Sequence, residues 1–176
     1  FDGLQLKPYW LTLRNRNDSL ITLAEKDNCL RLYGAGKLTS TDEVAFAAQR
    51  QTAFSFAASA TFSATLGAEE DAAGIVCFQS EEFHYCLQIC RKNSANIVQL
   101  VKVCGGKTEI VAESSEKIAD NAKLVFEAEA QMQNLFFRYS INGAKPVQLG
   151  SAQDASILST EKAGGFIGTI VGMFAT

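Results

Sequence analysis

The residues with the clearest chemical potential are one histidine and two cysteines in a single apolar run. His84, Cys86 and Cys90 are separated by even numbers of residues, and even spacing along a β-strand places side chains on one face. Imidazole and thiolate are ligands that zinc prefers. Along one strand, however, residues 84 and 90 lie about 20 Å apart, so the three side chains cannot reach one ion. We therefore expect a sheet face with a hydrogen-bonded histidine and buried thiols, and neither a metal nor another cofactor.

A hydrolytic site has few candidate residues in this sequence. His84 is the single histidine, so a serine–histidine–aspartate triad would have to use it. Glycoside hydrolysis uses two carboxylates about 5–10 Å apart, and Glu127 and Glu129 lie two residues apart. The Glu-x-Asp-x-x-Glu pattern of β-sandwich glucanases does not occur, because Met132 stands where the third acid would be. We interpret these carboxylates as solvated and expect no catalytic residue in this chain.

Composition and charge narrow the classes of partner. The 176 residues include 16 Lys and Arg and 19 Asp and Glu, and the formal net charge is −3. Because there is no basic block, the chain lacks the electrostatic footprint of a nucleic-acid-binding protein. The longest apolar stretch, 165–175, is far shorter than the roughly 20 residues that cross a bilayer. We expect one domain over residues 1–176, with neither a nucleic-acid nor a membrane partner.

The elements that must position these residues are strands, because the dominant pattern is alternation with a period of two. It is clearest between Ala53 and Leu66, where apolar residues alternate with small ones. Turn residues at 105–106 and 142–143 predict hairpins that join 97–104 to 107–113 and 135–141 to 146–149. Further strands are predicted at 9–14, 28–33, 73–79, 83–91, 123–130 and 165–174, and the best helical candidate is 114–122. This pattern predicts an all-β fold, an antiparallel two-sheet jelly-roll sandwich.

The order of several short segments resembles a known family. The segments are Phe1-Asp-Gly-Leu, Leu30-Arg-Leu-Tyr-Gly34, Leu38-Thr-Ser40, Phe46-Ala-Ala-Gln-Arg-Gln51 and Gly165-Phe-Ile-Gly-Thr-Ile-Val-Gly-Met-Phe-Ala175. Together they resemble the C-terminal β-sandwich domain of glycoside hydrolase family 43, whose members include β-xylosidases and α-arabinofuranosidases. The resemblance implies a concanavalin A-like sandwich attached behind a five-bladed β-propeller that holds the catalytic carboxylates. The expected partners are that N-terminal propeller of the same polypeptide and a plant-type xylan or arabinoxylan oligosaccharide.

The resemblance also implies where contacts are made. In xylosidases of this family, a loop aromatic of the β-sandwich domain closes one side of the substrate pocket. The matching loop is 38–45, which contains no aromatic residue here. Candidates for contact with substrate or with the catalytic domain are Asp42, Glu43, Arg50, Tyr33 and His84. The start at Phe1 without an initiator methionine fits a domain excised from a larger glycosidase.

Two functions remain open from the sequence. One is a non-catalytic accessory domain of a glycosidase, and the other is a free-standing glycan-binding sandwich of the lectin or carbohydrate-binding-module kind. Sugar-binding faces need aromatic platforms, and neither the face that carries His84 nor the small-residue face of 55–65 supplies rings. We therefore favour the accessory domain. Five cysteines, an odd number, predict free thiols, which leaves a cytoplasmic or a periplasmic location open for a bacterial-type protein.

Overall fold

The computed structural model describes residues 1–3, 5–14, 17–39 and 43–176. Within these ranges it contains thirteen strands, one 3-10 helix at Ala155–Leu158 and one α-helix, α1, at Thr160–Ala163. The strands are β1 (Ile21–Thr22), β2 (Arg31–Leu32), β3 (Ala45–Arg50), β4 (Phe56–Phe62), β5 (Ala72–Ser80), β6 (Phe83–Lys92), β7 (Ala95–Cys104), β8 (Lys107–Glu113), β9 (Leu124–Gln131), β10 (Asn134–Ile141), β11 (Val147–Gln148), β12 (Gln153–Asp154) and β13 (Ile170–Ala175).

The strands form two large antiparallel sheets and a short ribbon. The large sheet has the order β3-β13-β5-β6-β7-β8, and the small sheet has the order β11-β10-β9-β4 with β12 beside β10. β1 and β2 pair separately. Every strand pair is antiparallel, which confirms the predicted all-β sandwich. No helix in the described ranges is long and apolar enough to cross a membrane.

The main core lies between the two sheets. Tyr85, Leu87 and Ile89 alternate along β6 and point inward, where they meet side chains such as Phe126 and Phe137 of the small sheet. Each of these five side chains is almost completely buried. Full burial of a side chain of this size contributes roughly 1.5–3 kcal/mol relative to exposure, so this alternation is sufficient to fix which face of β6 turns inward.

A second core covers the outer face of the large sheet. The N-terminal segment places Leu38 and Val44 against Phe46 and Phe78, and Leu11 exchanges two backbone hydrogen bonds of 2.8 and 2.9 Å with Ala48. The large sheet is therefore buried on both faces, which explains why β5 is apolar along nearly its whole length rather than alternating.

Both predicted hairpin turns are confirmed. Gly105 and Gly106 have φ values of 59° and 73°, and Asn142 and Gly143 have φ values of 51° and 80°. Two successive residues with positive φ match the twist of a tight hairpin, and glycine and asparagine adopt this conformation at little cost.

Three expectations about elements are wrong. Residues 9–14 form one isolated bridge, between Leu11 and Ala48 at the edge of β3, instead of a strand, and Leu11 and Leu13 pack against the outer core. Residues 114–122 are not helical, since Ile118 pairs with Asn96 and is buried in the main core. β13 begins only at Ile170, because the glycines at 164, 165 and 168 all have positive φ.

Candidate functional site

Two of the predicted contact residues belong to the N-terminal region. Glu43 is exposed and accepts a hydrogen bond from Asn17 Nδ2. The Tyr33 hydroxyl donates to Glu25 Oε1 at 2.5 Å, and this hydrogen bond raises the pKa of Tyr33 above its usual value. Arg31 lies beside the same ring, with its guanidinium carbon 5.8 Å from the ring centroid. Tyr33 is thus held in a small surface cluster, whereas Asp42 lies outside the described residues.

The other two predicted residues lie in one row across the large sheet. Arg50 pairs with Ile170, which pairs with Phe78, which pairs with His84. Three strand spacings separate Arg50 from His84, or about 14 Å. Gly34, next to Tyr33, lies instead beside Thr176, at the opposite end of β13. The structure therefore does not bring the four described candidates together.

His84 is a buried residue of the outer sheet face. It is 3% exposed, stacks on Phe78 with ring centroids 5.4 Å apart, and places Nδ1 3.0 Å from the Ser80 carbonyl oxygen. Burial lowers the pKa of His84 below its ordinary value of 6.5. The arrangement agrees with the expected hydrogen-bonded histidine.

The cysteines beside His84 are inert thiols. All five cysteines are free, and burial raises the pKa of Cys86 above its ordinary value and that of Cys90 to about 11. A thiolate is the nucleophile and metal ligand, so these groups are unreactive near neutral pH. Among the described residues no group of three or more His, Cys, Asp or Glu side chains could hold a metal ion.

A cleft of about 890 Å³ runs along the free edge of the small sheet, and we call it the β4 trough. Ile75, Val171 and Met173 of the large sheet form part of its floor, and β4 forms one wall. The N-terminal segment forms the opposite wall. Its rings Phe1 and Trp10 lie with centroids 5.2 Å apart.

A second feature is a group of exposed apolar side chains at one end of the sandwich, which we call the apolar end. Its members are Phe54, Met132, Phe166 and Ile167. Phe166 is fully exposed, and the other three are each at least 60% exposed.

Hydrogen bonds connect the three loops that carry the apolar end. The Gln51 N–H donates to the Thr169 carbonyl oxygen at 3.0 Å, and the Met132 N–H donates to Ser55 Oγ at 3.3 Å. Gln79 Nε2 donates to the Gly164 carbonyl oxygen at 3.1 Å, which anchors the start of the Phe166 loop. The apolar end is not predicted from the sequence, because the pattern of residues 165–174 is typical of a strand. Gly165 and Gly168 flank Phe166 and Ile167, and such glycines are the sequence feature that indicates a loop at this position.

Residues 1–176 match one family model, described as the β-xylosidase C-terminal concanavalin A-like domain. Among curated proteins, the chain is 28% identical over 177 residues to a non-reducing end α-L-arabinofuranosidase, BoGH43B, of Bacteroides ovatus, with 100% of this chain and 33% of the relative covered. It is 24% identical over 177 residues to a xylosidase/arabinosidase of Butyrivibrio fibrisolvens, with 100% of this chain and 34% of the relative covered.

Solved structures show the same relationship. The Bacteroides ovatus structure described as xyloglucan PUL GH43B matches with a TM-score of 0.91 and 27% identity over 99% of this chain and 34% of that one. A mutant of the GH43 protein BlXynB from Bacillus licheniformis matches with a TM-score of 0.89 and 26% identity, again over 99% of this chain and 34% of that one. The chain spans about a third of the length of these relatives.

Proposed function

This chain belongs to the family of β-xylosidase C-terminal concanavalin A-like domains, and from that membership we propose that it is a non-catalytic accessory domain of a larger family 43-like glycoside hydrolase. The parent is of the β-xylosidase or α-arabinofuranosidase type, and the domain packs on a β-propeller catalytic domain and shapes substrate access. The relatives' greater length supports a companion domain.

Two ion-paired carboxylates, Glu113 of the large sheet and Glu129 of the small sheet, support a non-catalytic role. Lys92 lowers the pKa of Glu113, and Arg138 lowers the pKa of Glu129. A glycosidase needs a carboxylic acid whose pKa is raised so that it can protonate the leaving oxygen. These two groups are shifted in the opposite direction, as expected for surface ion pairs.

The single observation that carries the proposal is the apolar end. Four large apolar side chains are exposed on loops that hydrogen bonds hold together, and exposed apolar surface of this kind marks a place that another protein or domain covers. We assign this surface to the catalytic domain. The family resemblance implies a loop aromatic at the substrate pocket, and Phe166 fits that part better than the loop at 38–45, which has no aromatic.

The test uses the longer enzyme that contains this chain. The double substitution Phe166→Ala, Ile167→Ala is expected to lower kcat/KM for aryl xyloside or arabinofuranoside by about tenfold or more, because about 1.4 kcal/mol of lost positioning is a factor of ten. The matched control is Ile110→Ala, which removes a 51% exposed side chain from β8 at the far edge of the large sheet. Equal effects of the two variants would contradict the assignment.

The glycan-binding alternative has one observation in its favour, the ring cluster at the wall of the β4 trough. Phe1, Tyr9 and Trp10 lie side by side there, and aromatic faces can stack on sugar rings. Calorimetry of the isolated chain with xylo-oligosaccharides separates the two functions. We expect no binding below millimolar concentration, and sub-millimolar binding would favour the lectin-like function.

A further inference from the structure

The Phe166 loop, residues 164–169, contains three glycines. Gly164, Gly165 and Gly168 have positive φ values of 73°, 75° and 68°. Glycine loses more conformational freedom on folding than any other residue, and the two large side chains between these glycines are exposed. Packing of those side chains therefore does little to hold the loop, and contacts at its two ends must fix its position.

The C-terminal end of the loop is fixed by Thr169. This residue is 9% exposed, and its Oγ1 donates a hydrogen bond of 3.0 Å to the Leu158 carbonyl oxygen. Its own carbonyl oxygen accepts the hydrogen bond from the Gln51 N–H. This end of the loop is thus tied both to the 3-10 helix and to the segment that follows β3.

The N-terminal end of the loop depends on the side chain of Gln79. β5 pairs with β6 through Phe78 and Ser80 but not through Gln79, which is the extra residue of a β-bulge. Bulges re-aim a side chain and are frequent beside functional sites. Gln79 Nε2 donates to the Gly164 carbonyl oxygen. Among the described residues, this is the one side-chain hydrogen bond to residues 164–168.

Gln79 is buried although only half of its amide is hydrogen-bonded. The residue is 4% exposed, and no described residue donates a hydrogen bond to its buried Oε1. The Gly164 carbonyl can only accept, so the amide nitrogen must face it. A buried unpaired oxygen disfavours folding, whereas an apolar side chain of the same length would avoid this cost. The position that Gln79 gives to the loop explains its presence better than the stability of the core does.

We propose that Gln79 is a positioning residue of the larger glycosidase. Its amide fixes Gly164 and thereby the direction in which Phe166 leaves the sandwich toward the catalytic domain. Because Gln79 is buried, it acts through the loop rather than by touching substrate. This inference rests on the proposed function, since the direction of Phe166 affects activity only if the apolar end meets the catalytic domain.

The test compares Gln79→Met with Gln99→Met in the longer enzyme that contains this chain. Methionine has nearly the length of glutamine and lacks the amide. Gln99 is another buried glutamine of the large sheet, but its amide donates to Glu113. We expect Gln79→Met to lower kcat/KM for aryl xyloside or arabinofuranoside by about three- to tenfold, the factor that one hydrogen bond contributes. We expect Gln99→Met to leave kcat/KM unchanged.

Measurements on the 176-residue chain separate positioning from folding. We expect Gln79→Met to leave Tm unchanged or to raise it, because the substitution removes a buried unpaired oxygen, and the exposed Gly164 carbonyl can bond to water instead. We also expect the backbone order parameter of Phe166 to fall below about 0.6, a value typical of flexible backbone. An unchanged order parameter, or a Tm lower by about 4 °C or more, would overturn the proposal.

A double-mutant cycle tests whether Gln79 acts through the loop. In the longer enzyme that already carries Phe166→Ala and Ile167→Ala, the addition of Gln79→Met is expected to lower kcat/KM no further, because the side chains that Gln79 positions are gone. Additive losses would show that Gln79 affects activity by another route, and they would contradict the proposal.

The outcomes also distinguish this inference from the proposed function. If Phe166→Ala with Ile167→Ala leaves kcat/KM of the longer enzyme unchanged, the proposed function fails and this inference fails with it. If that double substitution lowers kcat/KM whereas Gln79→Met does not, the proposed function stands and the role of Gln79 alone is refuted.

Discussion

Protonation of His84 makes the stability of the outer core depend on pH. The ring is buried against Phe78 and hydrogen-bonded to Ser80, and burial holds its pKa below the ordinary value of 6.5. The folded state therefore binds its proton less readily than the unfolded state. Below pH 6.5 the unfolded chain gains a proton that the folded chain does not, so the contribution of this residue to stability is full above that pH and falls as the pH decreases.

We accordingly predict that the free energy of unfolding declines between pH 7 and 5, and that His84→Gln flattens this decline. The comparison is made by urea unfolding of both proteins at several pH values in that window. Parallel curves for the two proteins would contradict the assignment, because carboxylates common to both contribute the same slope.

A substitution of Phe166 is expected to change the activity of the longer enzyme without changing the stability of this chain. Its side chain is fully exposed in the isolated chain, so Phe166→Ala is expected to change the free energy of unfolding by no more than about 0.5 kcal/mol. Phe78→Ala serves as the contrast, because that ring is buried against Phe46 and should cost about 3–5 kcal/mol. A large loss of stability in Phe166→Ala would show that the ring packs within the domain rather than against a partner.

At the scale of the element, the close approach of paired backbones limits which side chains the strands of the large sheet can accept. A Cβ atom on Gly74 of β5 would lie 2.1 Å from the Leu87 carbonyl oxygen of β6. Backbone atoms on a paired strand cannot move aside as a flexible side chain can.

Gly74→Ala is therefore predicted to destabilise the chain by about 1–3 kcal/mol or more. Gly67→Ala is the matched control, since its nearest contact would be Asp71 Oδ2 at 3.7 Å and its backbone does not require glycine. Thermal unfolding of the two variants checks the prediction, which fails if their Tm values agree.

Elements were predictable from the sequence where burial and alternation coincide. The strands β5 to β10 begin and end within about two residues of their predicted bounds. The same pattern misled at 9–14, where the segment pairs with β3 at Leu11 alone, and at 165–169, where Gly165 and Gly168 have positive φ. Arg50 and His84 fall in one row, but no local pattern reports which loops meet at an end of the sandwich. The apolar end therefore emerged only from the structure.

At the scale of the whole molecule, the proposed accessory role uses the apolar end, where Phe166 and Ile167 are exposed. This proposed role requires no catalytic group in the chain, which agrees with the family to which the chain belongs.

We predict that the isolated chain does not hydrolyse aryl β-xyloside or aryl α-arabinofuranoside, whereas the longer enzyme does. Release of the chromogenic aglycone by each protein is the measurement. Turnover by the isolated chain that Glu127→Gln or Glu129→Gln abolishes would refute the accessory role, because contaminating activity would survive those substitutions.

The position of β13 in the large sheet has a consequence for biosynthesis. β13 lies between β3 and β5, although about 90 residues separate it from β5 along the chain. During translation, the strands β5 to β8 can pair as successive hairpins while β3 still lacks its neighbour. The sheet closes only after residue 175 leaves the ribosome, which makes closure a late, non-local event and therefore a slow one. Until then β5 exposes an apolar edge, and a nascent-chain chaperone would find its target there.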